Sequence, residues 1–581
     1  MFNHLLTVRW VGYLAMLAVP SAVAGGPAGS PDLTGSHFFF AEFQVADDPA
    51  SGGKAWKDVG FEIVQGKKCG IAVAGHTNYG RKAITPWDDH RAHMPWVIFD
   101  PVSSRYHLYY QPTGKGQATD APNRQDSERL AVAVAEKPEG PFLKPKLGLF
   151  KFYADPRTGF PKVSRENNII IGWRPHSFSI VLDKDYPKVR KWYLSHVGPP
   201  DGAVLFYESQ DGIHWTHVET KKIGSVGDQP SGWIHDPATK TYKYYLRQGT
   251  PRHIYLFESP DDLEYPWSGL SRETRKLVWG SPHDKAWYPP RDNPKNPGYE
   301  GEGARGGEQT YPMVVRKLGR LYLGWLVPFD NRNSSITAYL PPGTKWKQSI
   351  SGKVALLHGT WVISSDGLRW ERPFRSGDKY PYESVPAIAM GAHHKLVHRG
   401  GYMGSTPGSF FGPLTGDKEG NIAFDGGMIV QADWVYKDNR IYLYYAGYAG
   451  IHGDAWGCSG SDIGLATWDD YRIGGLKASS DQAFVVSTKQ PPAEPGTRLL
   501  LNAMANSPGG IRIELLGADF KPIPGYTAGD CNPFMGDAPA AAITWKGKSA
   551  LPPTQPYHVK VQLGKSDMVY GFLPHDAAAG Q

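Results

Sequence analysis

Cysteine is scarce in this chain of 581 residues, which contains only Cys69, Cys458 and Cys531. Three thiols allow at most one intrachain disulfide, so a scaffold stapled by several disulfides is excluded. No Cys-x-x-Cys pair occurs, and a structural zinc site is therefore not expected. We predict no metal site from the sequence, although an oxygen-ligated calcium ion remains an open alternative.

The chain has no large excess of either charge, because 63 lysines and arginines nearly balance 56 aspartates and glutamates. The net charge is +7. No block of basic residues and no nucleic-acid-binding motif is present, so we expect no nucleic-acid partner. The small positive excess is compatible with an anionic polysaccharide. Beyond the N-terminus no apolar run is long enough to cross a bilayer, and no membrane span is predicted. The oligomeric state is not predicted.

Glycine, proline and aromatic residues are abundant in this chain, and long helix-forming runs are few. The chain has 68 Gly, 49 Pro, 19 Trp and 31 Tyr, and aromatic residues make up 13% of it. This composition favours short strands joined by many turns over helices. It also suits a carbohydrate-binding protein, whose aromatic side chains can lie against sugar rings.

The N-terminus has the pattern of a secretory signal peptide. Arg9 precedes an apolar run over residues 10–19, and Ser21-Ala22-Val23-Ala24 follows as a small-residue cleavage site. The three parts in this order predict a signal peptide over residues 1–24. A membrane anchor is the alternative, but it needs a longer span. We therefore expect a secreted or periplasmic protein.

From residue 86 onward the chain repeats one two-strand signature, in which an apolar strand turns at Asp, Lys or Asn and returns as a Tyr-rich strand. The five units open at 93–111, 175–197, 230–249, 309–330 and 426–448. Repetition at wide spacing predicts an all-β fold with a five-bladed β-propeller. From about residue 478 an alternating, turn-rich pattern predicts a C-terminal β-sandwich.

The domain boundaries follow from these patterns. We predict a signal peptide over 1–24, N-terminal strands that pack on the propeller over 25–85, and the propeller over 86–477. The sandwich covers 478–574, and a frayed tail covers 575–581.

One phrase occurs twice, as Asp211-Gly212 followed by Trp215 and as Asp366-Gly367 followed by Trp370. An Asp-Gly pair favours a tight turn, and the Trp can fold back onto the preceding strand. We interpret both aspartates as structural residues at the edges of blades.

The chain resembles the β-propeller glycoside hydrolases related to families 32 and 43. The resemblance is carried by Pro86-Trp87-Asp88 before the first unit, by the two Ser-x-Asp-Gly-x-x-Trp phrases, by the 461–466 segment, and by the sandwich segments. It spans nearly the whole mature chain. It implies a secreted enzyme that cleaves glycosidic bonds of a polysaccharide or oligosaccharide with carboxylates in the propeller channel.

The resemblance implies three acids on the inner strands of the first three blades, one of which stays protonated as a general acid. This chain departs from that pattern. The first blade has Met94-Pro95 after His93, and the second has Arg174-Pro175-His176 without an acid. The standard triad is therefore not visible.

Candidate residues are expected at the openings of the units, where inner strands begin. The catalytic candidates are Glu308 as general acid, with Asp89 and Asp228. The candidates for substrate binding are His93, Arg174, His176, Tyr311 and Asp425. Histidine and arginine side chains there would bind sugar hydroxyls or an acidic group.

Two other functions stay open at this stage. The first is a polysaccharide lyase, in which Tyr311 or a histidine abstracts the proton next to a uronate carboxylate. The basic residues at the strand openings motivate that alternative. The second is a non-catalytic carbohydrate-binding protein that uses the sandwich as a binding module.

Overall fold

The computed structural model of the chain consists of β-strands and short 3-10 turns where it is described. It describes residues 31–48, 53–75, 87–88, 91–114, 116–118, 129–154, 163–172, 175–198, 203–223, 226–248, 253–260, 269–279, 308–330, 357–372, 387–388, 424–425, 428–448 and 461–576. The predicted signal peptide, Cys458 and most of the predicted tail over 575–581 lie outside these ranges. No α-helix occurs within them, and none of their helices could cross a membrane.

The strands are numbered in chain order. The N-terminal strands are β1 His37–Phe38, β2 Asp47–Asp48, β3 Gly53–Lys54, β4 Trp56–Lys57, β5 Val59–Ile63 and β6 Lys67–Val73. The next are β7 Arg91–Asp100, β8 Arg105–Thr113, β9 Gly116–Ala118, β10 Leu130–Ala135, β11 Phe152–Ala154, β12 Val163–Ser164, β13 Ile169–Ile171, β14 His176–Leu182, β15 Trp192–Gly198, β16 Ala203–Ser209 and β17 Thr216–Lys222.

The remaining strands of the repeated region are β18 Val226–Asp236, β19 Thr241–Gln248, β20 His253–Pro260, β21 Lys276–Trp279, β22 Glu308–Leu318, β23 Leu321–Asp330, β24 Thr360–Ser364, β25 Met428–Lys437, β26 Arg440–Tyr448 and β27 Ser461–Trp468. The C-terminal strands are β28 Gly474–Ala478, β29 Ala483–Val486, β30 Arg498–Ala505, β31 Arg512–Gly517, β32 Gly536–Ala542, β33 Tyr557–Leu563 and β34 Met568–His575. The 3-10 turns are Leu33–Gly35, Glu42–Gln44 and Asp469–Tyr471.

The repeated region forms antiparallel sheets whose strands follow one another in sequence. Two are four-stranded, β14-β15-β16-β17 and β18-β19-β20-β21, and one is three-stranded, β22-β23-β24; a separate small three-stranded sheet has the order β12-β11-β9. An eight-stranded sheet contains β7, β8, β10 and β13 on one side and β25, β26, β27 and β6 on the other. A single bridge between Arg91 and Ser461 joins its two halves. The N-terminal strand β6 pairs with β27 and is the outermost strand of the second half.

The first strands of these sheets meet in a closed ring. Strand β7 contacts β14, β14 contacts β18, β18 contacts β22, β22 contacts β25, and β25 contacts β7 again. Because alternate residues of a strand face opposite sides, each sheet buries side chains against the sheet before it and the sheet after it. Tryptophans fill much of this space: Trp361 packs edge-on against Trp325, Trp434 and Trp468, with ring centres 5.2–5.3 Å apart.

The two Asp-Gly phrases adopt the same turn in two different sheets. Gly212 and Gly367 have φ of 72° and 74°, a conformation that glycine adopts without steric cost. The Trp215 indole donates to the Gly212 carbonyl, and the Trp370 indole donates to the Gly367 carbonyl, at 3.1 and 3.3 Å. Each tryptophan therefore folds back onto the glycine of its own turn.

A tyrosine of the preceding sheet reaches each of these turns. Tyr109 of β8 donates to the Gly212 carbonyl at 2.9 Å, and Tyr245 of β19 donates to the Gly367 carbonyl at 3.1 Å. Asp211 accepts the backbone N–H groups of Ile213 and His214, and Asp366 accepts those of Leu368 and Arg369. These contacts agree with a structural role for both aspartates.

Two further sheets form at the C-terminal end, and the N-terminus contributes to both. One has the order β32-β30-β34-β28-β5, with β1 also paired to β34, and the other has the order β31-β33-β29-β4. Buried residues of both sheets share one apolar core that includes Leu501, Phe572, Ile513, Val559 and Val485. Strands β4 and β5 thus bring the chain's N-terminal segment into the sheets of its C-terminal end.

The all-β class predicted from the sequence is confirmed. The number of blades, the C-terminal sandwich and the domain boundaries stay predictions. Within the described residues Cys69 is exposed, Cys531 is buried, and both are free thiols.

Candidate functional site

The first strands run in the same direction, so their beginnings lie at one end of the ring. At the far end of β18 and β22, Lys317 Nζ lies 2.7 Å from Asp236 Oδ1. At the near end of β7 and β25, the His93 ring contacts Tyr448, which is paired with Met428 at the start of β25. The unit openings predicted as the functional region therefore face one side of the ring.

Each of the five first strands carries an irregularity near its beginning, where its pairing with the second strand of the sheet shifts. The shifts fall between His93 and Trp96, His176 and Phe178, Val226 and Gly232, Thr310 and Met313, and Ile429 and Ala432. A β-bulge bends the strand and re-aims its side chains, and bulges are frequent beside active sites. The five shifts thus mark one end of the ring as the place where the side chains depart from the regular alternation of a strand.

Proline explains three of these five shifts. Pro95, Pro230 and Pro312 lie within or beside the shifted segments of β7, β18 and β22. Proline has no backbone N–H to donate to the neighbouring strand, so it is confined in sheets to edges, strand starts and bulges. A proline inside an otherwise apolar first strand is the sequence signal that could have located this end of the ring.

His93 is a buried candidate residue at this end of the ring, with only 4% of its surface exposed. Its Nδ1 lies 3.0 Å from the Tyr448 hydroxyl, and its Nε2 lies 3.5 Å from the Thr113 hydroxyl. The two rings of His93 and Tyr448 are nearly perpendicular, with centres 6.4 Å apart. The structure therefore pairs a predicted binding residue with a tyrosine that the sequence did not single out.

Two glutamines at the same end were also missed from the sequence. Gln111 is directly opposite His93 on β8, and Gln431 lies in the shifted segment of β25. Both are essentially fully buried, and neither amide oxygen nor amide nitrogen has a hydrogen-bond partner among the described residues. Leaving such a group unsatisfied costs about 1–3 kcal/mol. Their amide groups are therefore suited to hydrogen-bond a polar ligand, and no local pattern reveals them.

A buried cation lies near the starts of β18 and β22. Arg247 is 3% exposed, and its guanidinium carbon lies 5.5 Å from the centre of the Tyr311 ring. Arg247 follows Leu246, the residue opposite Pro230 in the shifted part of β18. A buried guanidinium here can favour an ionised carboxylate nearby, whether that carboxylate belongs to the protein or to a substrate. Arg247 was not predicted from the sequence.

The two main catalytic candidates lie on neighbouring first strands. Asp228 falls in the shifted segment of β18, and Glu308 is the first residue of β22, where it is opposite Asp330. His176 begins β14. The structure describes only the backbone at these three residues. Asp89 and Arg174 lie outside the described residues.

Asp425 is placed differently from the other candidates. Its carboxylate is 2.6 Å from Lys68 Nζ of β6 and accepts a hydrogen bond of 2.8 Å from the Tyr445 hydroxyl of β26. Burial and the neighbouring carboxylate raise the pKa of Tyr445 well above its usual range. Asp425 therefore lies against the second and fourth strands of its sheet, and its binding role stays a prediction.

A buried ion pair connects first strands of the ring at positions further from their beginnings. Arg316 of β22 forms a two-point ion pair with Asp433 of β25, at 2.8 and 2.5 Å, and Asp433 also accepts the Val97 N–H of β7 at 2.7 Å. The Arg316 guanidinium lies 4.5 Å from the Trp96 ring centre. Burial raises the pKa of Asp433 against the opposing effect of Arg316. This buried pair fixes three first strands relative to one another.

Within the described residues, no group of three or more His, Cys, Asp or Glu side chains is arranged to hold a metal ion. The alternative of a calcium ion in the channel therefore gains no ligand set from this part of the chain.

No protein-family model matches this chain, and no curated protein sequence matches it. Solved structures of carbohydrate-active proteins do. An N-acetylgalactosamine deacetylase from F. plautii, in complex with blood group B trisaccharide, is 12% identical, with a TM-score of 0.36, over 71% of this chain and 96% of its own.

Two other solved structures cover more of the chain. The exo-β-1,3-galactanase from Phanerochaete chrysosporium, with galactose, is 11% identical, with a TM-score of 0.30, over 92% of this chain and 99% of its own. A glycoside hydrolase family 43 arabinoxylan arabinofuranohydrolase from Bacillus subtilis is 12% identical, with a TM-score of 0.29, over 92% and 91%. These scores are too low for an overall fold or a function to be carried over to this chain.

Proposed function

We propose that the protein is a glycoside hydrolase that cleaves glycosidic bonds of a polysaccharide or oligosaccharide at the bulged end of the ring. One observation carries the proposal. All five first strands shift register at the same end, and they bring Asp228, Glu308 and Tyr311 to that end, together with His93.

Carboxylates on two adjacent strands suit this chemistry. Glycoside hydrolysis needs one carboxyl group that donates a proton to the leaving oxygen and a second that acts as base or nucleophile. We assign Glu308 as the acid and Asp228 as its partner, with Asp89 as a second candidate for that partner. Buried Arg247 would help to keep one carboxylate ionised. His93, Gln111 and Gln431 would bind sugar hydroxyls.

The architecture that we propose around this site is a five-bladed β-propeller followed by a C-terminal β-sandwich. The closed ring of first strands supports the blade number, and the apolar core shared by the two C-terminal sheets supports the sandwich. The pattern of residues 1–24 supports export of the protein to the periplasm or the outside of the cell.

The test is to incubate the purified protein with a panel of neutral and acidic polysaccharides and to measure new reducing ends. Glu308→Gln should lower release by at least about 100-fold, and Asp228→Asn should also lower it strongly. The matched control is Glu166→Gln, because Glu166 is a carboxylate whose side chain is 70% exposed and pairs with Lys146 at the surface. Full activity in the Glu308 variant would refute the assignment of the acid.

A second function is favoured by one specific contact. The buried His93–Tyr448 pair, with Arg247 of β19 at the same end of the ring, is suited to β-elimination on a uronate. A histidine or tyrosine would abstract the C5 proton next to the carboxylate while a cation neutralises that carboxylate. A C4–C5 double bond would form as the C4–O bond breaks, and the departing oxygen would take a proton from the site or from water. A lyase would release products with the ultraviolet absorbance of an unsaturated uronide, whereas hydrolysis would not. Binding without any product would favour a non-catalytic carbohydrate-binding protein.

A further inference from the structure

A groove crosses the outer face of the C-terminal sheet β31-β33-β29-β4. Three of the four strands of this sheet follow the repeated region in sequence. Its volume is about 530 Å3, and its lining includes Phe484, Arg512, Lys560 and Gln562, with a glycine-containing turn at 507–510 on one side. An aromatic ring, an amide and two cations therefore share one depression.

A row of side chains from four neighbouring strands runs along the groove, with three members in its lining and the fourth, Lys57, beside it. Phe484 is opposite Lys57 on one side and Gln562 on the other, and Gln562 is in turn opposite Arg512. Residues directly opposite one another point to the same face of a sheet. With strands about 4.8 Å apart, the row spans about 14 Å.

The row faces solvent, because the residues beside it face the core. Val485, Val561 and Ile513, each next in sequence to a member of the row, are completely buried in the apolar core shared by the two C-terminal sheets. Phe484 itself is half-buried. Its ring is thus held in place and yet accessible.

Positive charges outnumber negative ones in and beside the groove, with Lys57, Arg512 and Lys560 against Asp481 and Glu514. Lys57 and Arg512 stand at the two ends of the row, and Lys560 Nζ lies 5.3 Å from the centre of the Phe484 ring. Arg512 is held by hydrogen bonds to the Ala528 and Cys531 carbonyls. Glu514 is paired with Lys560 at 3.0 Å, and Lys57 Nζ donates to Oε1 of Gln482, a lining residue, at 3.3 Å. The row thus has a cation at each end, with Asp481 as the one acidic residue of the described lining.

We propose that this groove binds a segment of an anionic polysaccharide. A sugar ring would lie against Phe484, its hydroxyls would bond to Gln562, and its acidic groups would lie near Lys57 and Arg512. The choice of a polysaccharide as the ligand rests on the proposed function, since such a site would keep an enzyme on its polymeric substrate. The acidic group is a carboxylate or a sulfate, which share the same charge chemistry.

The full chain should be tested by affinity electrophoresis in gels that contain polygalacturonate, dextran sulfate or neutral dextran. We expect retardation by an anionic polymer and none by neutral dextran, and the two anionic gels separate a carboxylate ligand from a sulfate ligand. Phe484→Leu, which keeps an apolar side chain but removes the flat ring, should weaken binding about tenfold, and Lys57→Ser should do the same.

The matched control is Lys477→Ser, which removes one positive charge from the other C-terminal sheet, where Lys477 pairs with Glu62. It should bind as the unchanged protein does. Three outcomes would overturn the proposal: no retardation by either anionic polymer, undiminished binding by Phe484→Leu, or an equal loss in the Lys477 variant.

The failure of this site can be told apart from the failure of the proposed function. Phe484→Leu should release reducing ends from a short soluble oligosaccharide at the normal rate, while Glu308→Gln should keep its retardation in the anionic gel. If no polysaccharide is cleaved by the unchanged protein but the groove binds as expected, the hydrolase proposal fails and the groove proposal stands.

Discussion

Arg316 and Asp433 form a buried, two-point ion pair between neighbouring first strands, and the same carboxylate accepts the Val97 N–H of a third strand. The side chain of Asp433 is completely buried, and that of Arg316 is 16% exposed. Such a pair fixes the positions of the strands that carry the candidate site. It offers little net stability, because removing two charges from water offsets much of their attraction.

Removing one partner of this pair should destabilise the protein strongly. Arg316→Met leaves the Asp433 carboxylate buried without its cation, and we expect a loss of about 3–5 kcal/mol in the free energy of unfolding. The double variant Arg316→Met/Asp433→Leu should recover most of that loss. Urea unfolding of the two variants measures this. Equal stability of the single variant and the unchanged protein would contradict the role of the pair.

Loss of the proposed acid should act on turnover and leave the fold intact. We expect Glu308→Gln to lower kcat by about 10²–10⁴-fold, the usual contribution of a positioned general acid. Its thermal unfolding should match that of Glu166→Gln, the surface control. A parallel fall in both activity and unfolding temperature would show that Glu308 is needed for folding rather than for catalysis.

The His93–Tyr448 contact separates the two proposed reactions. In a hydrolase, Tyr448→Phe removes only a contact to a binding residue, so KM should rise about tenfold with kcat nearly unchanged. In a lyase the same change should lower kcat about 100-fold or more.

The control for the lost hydroxyl is Tyr245→Phe, because Tyr245 is also fully buried but bonds to the backbone of the second Asp-Gly turn. It should leave both kinetic constants unchanged. If Tyr448→Phe also leaves both unchanged, Tyr448 is not part of the site.

Low pH should lower the free energy of unfolding because it protonates Asp236. Burial raises the pKa of Asp236, but hydrogen bonds from Lys317, Tyr322 and Thr239 outweigh it and lower the pKa from 3.8 to about 2. Because the pKa of Asp236 is lower in the folded state than in the unfolded state, its ionised carboxylate stabilises the fold at pH values above about 4. This contribution is lost as pH falls from about 4 to about 2. It amounts to on the order of 1–2 kcal/mol.

The measurement is the difference in unfolding free energy between the unchanged protein and Asp236→Asn across this pH range. We expect the difference to be largest near neutral pH and to shrink toward zero below pH of about 2. A difference that stays constant with pH would contradict the assignment of the shift to Asp236.

A side chain at Gly367 should strain the second Asp-Gly turn. The residue has φ of 74°, and a Cβ there would lie 2.7 Å from the Tyr245 hydroxyl. Gly496 is the matched control, since it has φ of 87° and no atom within 4 Å of a new Cβ. We expect Gly496→Ala to cost about 1 kcal/mol from backbone strain alone and Gly367→Ala to cost about 2–3 kcal/mol. Thermal unfolding would show whether the two costs differ.

Much of the strand pattern was predictable from the sequence. The strands of the five repeated hairpins lie where alternation and turn residues placed them, and both Asp-Gly turns have the expected glycine conformation and folded-back tryptophan. These features are local, because strand alternation and turn chemistry depend on residues a few positions apart.

The site was predictable only in part. The sequence singles out His93 and Tyr311 because they stand at unit openings, and their binding roles stay predictions; prolines in three first strands carry a signal for the bulges. Gln111 and Arg247 were missed, because each lies at the end of a second strand and reads as an ordinary polar residue there. Their importance depends on which first strand they face.

The sequence by itself determined the all-β class, the positions of the repeated hairpins and the end of each unit where polar side chains collect. Only the tertiary structure decided that β4 and β5 join sheets formed more than 400 residues later, that β6 lies outside β27, and that Lys57 shares a row with Phe484, Gln562 and Arg512. Pairing between distant strands is selected by the burial of whole faces in a common core. That selection leaves no pattern in the local sequence of either strand.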